Sequence, residues 1–181
     1  MPSNRQPGRA GPPADRRDVR LPPDPSGASG HAGAMSATAT SEAMTVLTGM
    51  YAAEAEYLAA GGAGAASFEP LAPFFAPDVV LHQAEALPYG GTWRGHEGIE
   101  RFFVAMSRTW EVFEMLQQDY LAVDVPVVVL TQVKARARAT GRELRFPILQ
   151  TIAVEAGRIT EIRPFYWDTA AIADAVAPQG R

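Results

Sequence analysis

Between Val79 and Phe103 the chain changes its structural period twice, and few folds accommodate that. Val79-Val80-Leu81-His82-Gln83 is the kind of β-branched and apolar run that suits a strand. Pro88-Tyr89-Gly90-Gly91 breaks it, and Thr92-Trp93-Arg94 resumes it briefly. Gly95-His96-Glu97-Gly98 then opens a helix from about Glu97 to Ser107. Ile99, Phe102, Phe103 and Met106 form its apolar stripe, with Glu100, Arg101 and Arg108 outside it.

The flanks extend this pattern. Met44 to Ala60 carries Leu47, Met50, Tyr51 and Leu58 at helical spacing and stops at Gly61-Gly62-Ala63-Gly64. A short, irregular second helix is expected after it. Ser67 would cap that helix, Pro70 and Pro73 would lie within it, and Leu71, Phe74 and Phe75 would face inward. Strands follow from Trp110 to Ala122 and, after a break at Asp124-Val125-Pro126, from Val127 to Arg138. Val133, Ala135 and Ala137 alternate there with Lys134, Arg136 and Arg138. Ala139-Thr140-Gly141-Arg142 reads as a hairpin turn. Arg145 to Val154 and Ile159 to Trp167 then pair around Glu155-Ala156-Gly157-Arg158, before a C-terminal helix reaching about Val176. Helices first and antiparallel strands second define an α+β fold with the helices on one face of a sheet.

The stretch from Val79 to Phe103, together with Arg158-Ile159-Thr160-Glu161-Ile162-Arg163-Pro164-Phe165-Tyr166-Trp167-Asp168, resembles the nuclear-transport-factor-2-like superfamily, and within it the SnoaL-like branch. The resemblance covers about Met44 to Val176. It implies a cone-shaped, cystatin-like roll, in which a strongly curved antiparallel sheet wraps three helices around an apolar pocket. That pocket serves isomerases, cyclases, epoxide hydrolases and plain binding modules, so function rests on its lining.

The first part of the chain has a different composition. Seven prolines precede Ser26, among Gly8, Gly11 and five arginines, and no Phe, Trp or Tyr precedes Tyr51. Residues 1–41 are therefore expected to form a disordered tail, residues 42–177 the domain and residues 178–181 a second tail. Met35-Ser36-Ala37-Thr38 reads equally as a start, which would leave residues 1–34 upstream of it. From Glu42 onward there are 11 Lys and Arg against 17 Asp and Glu, a difference of −6. An acidic domain without a basic stripe argues against nucleic acid as a partner. The absence of cysteine removes thiolate chemistry and cysteine metal sites. His82 and His96, the histidines of the domain, lack metal-ligand spacing, so no metal and no cofactor are expected. No apolar run suggests a membrane span, and Arg16-Arg17 lacks the apolar stretch of an export signal, which leaves the cytoplasm as the simplest location.

The resemblance allows a residue-by-residue comparison. Aligned on Phe75-Ala76-Pro77-Asp78, Gln83 falls where ketosteroid isomerase has its general base. Aligned on Gly157, Gln150 falls where that enzyme has its protonated acid and where the polyketide cyclase has a histidine. Pro164 falls where the cyclase has its aspartate. The position of the isomerase tyrosine is near Ala55, one helical turn from Tyr51 and Glu54. Neither acid/base pair is retained, and an amide positions an oxygen but does not accept a proton at neutral pH.

Alternation from Gln83 places Glu85 on the pocket face, where desolvation would raise its pKa and suit it to act as the general base. Asp168, on the pocket register of the last strand, is the second candidate carboxylate and also a natural cap for the final helix. Gln83, Gln150, Tyr166, Tyr89, Tyr51 and Trp93 are expected to contact substrate. His82 is expected on the convex face and His96 at a surface turn. The expected activity is cofactor-free acid/base chemistry (isomerisation, cyclisation or epoxide opening) on an apolar oxygenated metabolite such as a polyketide or terpenoid. A non-catalytic binding or dimerisation module is the alternative. A homodimer through the convex sheet face is also expected, from Lys134, Arg136, Arg138, Arg145 and Arg163 facing Glu143 and Glu161 across a two-fold axis.

Overall fold

A computed structural model describes residues 29–123 and 126–178. The first helix, α1, runs Ser29–Ala59. Ala43, Val46, Leu47, Met50 and Tyr57 are buried at the spacing of a single helical face. The helix begins at Ser29 rather than Met44, because the Ala-rich run through Ala32, Ala34, Ala37 and Ala39 favours continuing it. The expected helix start at Met44 is thereby moved to Ser29, and residues 1–28 of the expected tail lie outside the described part. At the other end, Gly61 and Gly62 take φ of +99° and +64°, and the Gly62 amide closes the last turn on the Tyr57 carbonyl at 2.9 Å.

The expected second helix reduces to a single 3-10 turn at Ala72–Phe74. Pro73 lies inside it, and Phe75 is already the first residue of strand β1 (Phe75–Gln83). Ser67 still serves locally, accepting a hydrogen bond from the Glu69 amide at 3.2 Å. The chain continues as β2 (Gly91–Arg94), α2 (Gly95–Thr109), β3 (Trp110–Ala122), β4 (Val127–Ala137), β5 (Glu143–Glu155), β6 (Arg158–Tyr166) and α3 (Thr169–Val176). Asp124 and Val125, part of the expected break, lie outside the described residues. The β5–β6 hairpin turns on Ala156 and Gly157, at φ of 48° and 71°. Two positive φ values in a two-residue loop match the twist of the strands they join.

The six strands form one sheet in the order β2-β1-β6-β5-β4-β3. The β1–β6 pairing is parallel, a departure from the all-antiparallel expectation, and the other pairings are antiparallel. Register shifts recur along β3, at Trp110/Val112, Met115/Gln117 and Tyr120/Ala122. Each bends its strand, so the sheet curls around α1 and α2. The buried apolar residues fall into two groups. One centres on α1, β1 and α2 (Leu47, Leu71, Val79, Ile99, Ile159), and the other on β3, β4, β5 and α3 (Trp110, Val133, Phe146, Ile172).

Candidate functional site

A cavity of about 360 Å³ lies between these two groups, which is within the range of small-molecule sites. Met50, Leu81, Ile99 and Ile162 come from the first group, and Trp110, Val133 and Ile148 from the second. Exposed Gly61, Glu111 and Arg138 stand at its edge, and buried Gln83 and Thr131 lie within.

Gln83, Gln150, Tyr166 and Tyr51 line the cavity. They form two pairs. The Tyr166 hydroxyl donates to Gln83 Oε1 at 3.0 Å, and the Tyr51 hydroxyl donates to Gln150 Oε1 at 3.4 Å. Each tyrosine thereby engages the oxygen of its glutamine. Burial raises the Tyr166 phenol well above its ordinary value, with Tyr89 beside it adding to the shift. Burial, and then the Glu54 carboxylate, raise Tyr51 in the same way.

Glu85 is not in the cavity. Strand β1 ends at Gln83, and the chain turns at once, the Leu87 amide donating to the Ala84 carbonyl at 3.0 Å. Glu85 is an exposed residue of that turn, so the alternation that pointed it inward stops two residues too early. Asp168 is also outside. Strand β6 ends at Tyr166, and the Asp168 carboxylate accepts the Ala171 amide at 2.9 Å as the cap of α3. Tyr89 is buried behind the wall rather than lining it. Trp93 supports it from outside, its indole donating to the Tyr89 carbonyl at 3.1 Å. Neither is among the residues that line the cavity. His96 is half-buried and bonded to the Phe75 carbonyl at 2.9 Å, so it ties α2 to β1 rather than standing on the surface. His82 sits 3.7 Å from Glu161.

The carboxylate that does face the cavity is Glu54, on α1. Desolvation pushes its pKa from 4.5 up to about 7. Glu111, at the edge, is instead 3.1 Å from Arg136. The sequence carries a signal for Glu54. It lies three residues after Tyr51, four after Met50 and four before Leu58, all of which line the cavity, so it interrupts an apolar stripe. Thr131 was also missed. It is 2 % exposed, and its hydroxyl has no hydrogen-bond partner.

A curved sheet closed by two helices over an apolar cavity, with paired amides and a carboxylate unpaired among the described residues, defines a pocket of the α+β cone type. The sequence matches the SnoaL-like domain family over residues 55–162, and the chain belongs to that family. No curated protein matches it. Among solved structures it is similar to an NTF2-like protein from Burkholderia xenovorans LB400, at 22% identity and a TM-score of 0.65, covering 76% of this chain and 97% of that one. It is similar to TerC co-crystallized with polyporic acid, at 17% identity and a TM-score of 0.63, covering 75% and 98%. A protein with a cystatin-like fold from Xanthomonas campestris is also similar, at 23% identity and a TM-score of 0.54, covering 72% and 98%. Among the described residues no helix is long and apolar enough to cross a membrane.

Proposed function

We propose that the chain is a cofactor-free enzyme that moves a proton on an apolar, oxygenated small molecule. Glu54 acts as the acid/base group, and Gln150 and Gln83 hold the ligand oxygen. The observation that carries this reading is the position of Glu54, an unpaired carboxylate on the wall of an apolar cavity beside Tyr51 and its partner Gln150. With its pKa near 7, both protonation states are populated at neutral pH, as proton transfer in both directions requires.

The Glu54 carboxylate takes a proton from the carbon next to a ligand carbonyl, and the C–H electron pair moves onto the carbonyl oxygen. The resulting enolate accepts hydrogen bonds from the glutamine amides. In an unsaturated ligand, return of the same proton from Glu54 to another carbon of the conjugated enolate completes an isomerisation. Alternatively, attack of the enolate carbon on a second carbonyl closes a ring, and the new alkoxide oxygen takes the proton back from Glu54. Neither route requires an oxidant or reductant. The co-crystallization of TerC, which is similar in fold, with polyporic acid supports an organic ligand here.

Hydrogen–deuterium exchange next to the carbonyl of tetralone, followed by NMR in D2O, tests this reading. Exchange faster than in buffer is expected. A protein that binds tetralone yet leaves exchange at the buffer rate would be the binding module that the two glutamines also suit.

The outer sheet face supports a second proposal, pairing with another copy of the chain. The cations expected to drive pairing are partly engaged within one chain. Arg163 pairs with Glu161, Arg136 sits beside Glu111, and Arg138 donates to the Ser107 and Trp110 carbonyls. An apolar row supports the interface better. Phe165, 55 % exposed, pairs in register with Leu149, and Leu149 pairs with Leu130. Trp167 extends the row at 86 % exposed. Light scattering is expected to give a dimer mass, and Phe165→Glu a folded monomer. A parent monomer at micromolar concentration removes this interface.

A further inference from the structure

We propose that Thr131 is a specificity-determining residue of the cavity, selecting neutral ligands that carry two or more hydrogen-bond-accepting oxygens. The proposal rests on the small-molecule reading above and adds the ligand class to it.

Strand register sets polar groups side by side on the concave face. Thr131 on β4 lies opposite Ile148 on β5, which lies opposite Tyr166 on β6. Gln150 is the diagonal neighbour of Thr131, at a separation of about 7 Å for such pairs. These groups present donors to the cavity. The oxygens of Gln83 and Gln150 already accept from tyrosine hydroxyls, and their amide nitrogens have no protein acceptor among the described residues.

The Thr131 hydroxyl is the most telling of these. A buried hydroxyl without a partner destabilises a fold, and valine would fill the same volume without that penalty. A ligand oxygen is the partner it lacks. An uncharged ligand suits this lining better than an anion. Arg138 spends its guanidinium on the Ser107 and Trp110 carbonyls, and Arg136 is set beside Glu111. An anion would therefore enter an apolar cavity against Glu54, and the cation it would meet is Arg138 at the exposed edge, already bonded to two carbonyls. Two acceptor oxygens on an apolar frame, one for Thr131 and one for Gln150, fit the arrangement.

Calorimetric titration with naphthalene, tetralone, naphthoquinone and naphthoate at pH 8 tests this with probes of similar size and increasing oxygen content. Affinity is expected to rise from naphthalene through tetralone to naphthoquinone, with naphthoate weakest. Thr131→Val should lose about fivefold on naphthoquinone, keep its naphthalene affinity and melt higher than the parent, while Thr131→Ser keeps the preference. A purely structural threonine would give the opposite pattern, a lower melting temperature with naphthoquinone affinity unchanged, and would overturn the proposal. Naphthoate binding as tightly as naphthoquinone overturns it too. If naphthalene binds and added oxygens gain nothing, the proposal fails while the small-molecule reading stands. If no probe binds the folded protein, both fail.

Discussion

Replacing Glu54 by glutamine is expected to slow catalysed proton exchange by roughly two to four orders of magnitude, because the amide keeps the shape of the group and removes its proton acceptor. The same substitution should make the protein more stable at neutral and alkaline pH. The Glu54 carboxyl has an ordinary pKa of 4.5 and a folded value of about 7. Between those values the folded chain keeps a proton that the unfolded chain has lost, so stability falls as pH rises through the window. Above pH 7 the full penalty of a desolvated carboxylate is present, on the order of 3 kcal/mol. Glu54→Gln should remove this slope, with its largest gain in melting temperature near pH 8 and little gain near pH 4. A variant that loses activity together with stability at pH 8 would show Glu54 to be a structural residue. Tetralone affinity should change little in the variant, which separates proton transfer from binding.

Gly90→Ala is expected to be the most destabilising single-methyl change in the loop that delivers Gln83 and Tyr89 to their places. A Cβ at Gly90 would come within 2.6 Å of the Ala84 carbonyl oxygen and 2.8 Å of that of Glu85. Both contacts are with backbone, so no side chain can swing aside. The loop would have to open, at a cost of about 3 kcal/mol, which lowers the melting temperature by roughly 10 °C in a chain of this size. Gly141→Ala is the control. Its Cβ would meet nothing within 4 Å, and only its φ of +69° opposes the change. Calorimetry in which the two variants melt together would mean that the Gly90 contacts relax freely.

Most of the sheet was legible because its strands are long and their burial alternates. Val127 to Ala137 alternates buried and half-buried residues along its whole length, which reads directly from Val133-Lys134-Ala135-Arg136. Ala156-Gly157 announced its hairpin through residue type alone. Failure came where an element ended. Extrapolating the two-residue period beyond Gln83 carried Glu85 into a pocket that the chain had already left, and the same step past Tyr166 misplaced Asp168. Strand ends are set by loop hydrogen bonds such as Leu87 to Ala84, which periodicity does not encode. The parallel β1–β6 contact was likewise invisible, since it joins segments far apart in the chain.

The candidate site was half legible. Gln83, Gln150, Tyr51 and Tyr166 lie on regular elements, where alternation and helical spacing hold. Glu54 was passed over because attention went to strand positions, although its place among Met50, Tyr51 and Leu58 already marked a carboxylate on an inward face. Thr131 had no comparable signal. A threonine in a strand is ordinary, and only the absence of a partner for its buried hydroxyl sets it apart.

The proposed chemistry requires Glu54, unpaired against an apolar cavity, to hold its proton to neutral pH. Carbon-detected NMR titration of the Glu54 side-chain carboxyl, assigned by its loss in Glu54→Gln, measures this without any knowledge of the substrate. A midpoint near 7 is expected, well apart from the exposed glutamates of the chain. A midpoint near 4.5 would contradict it.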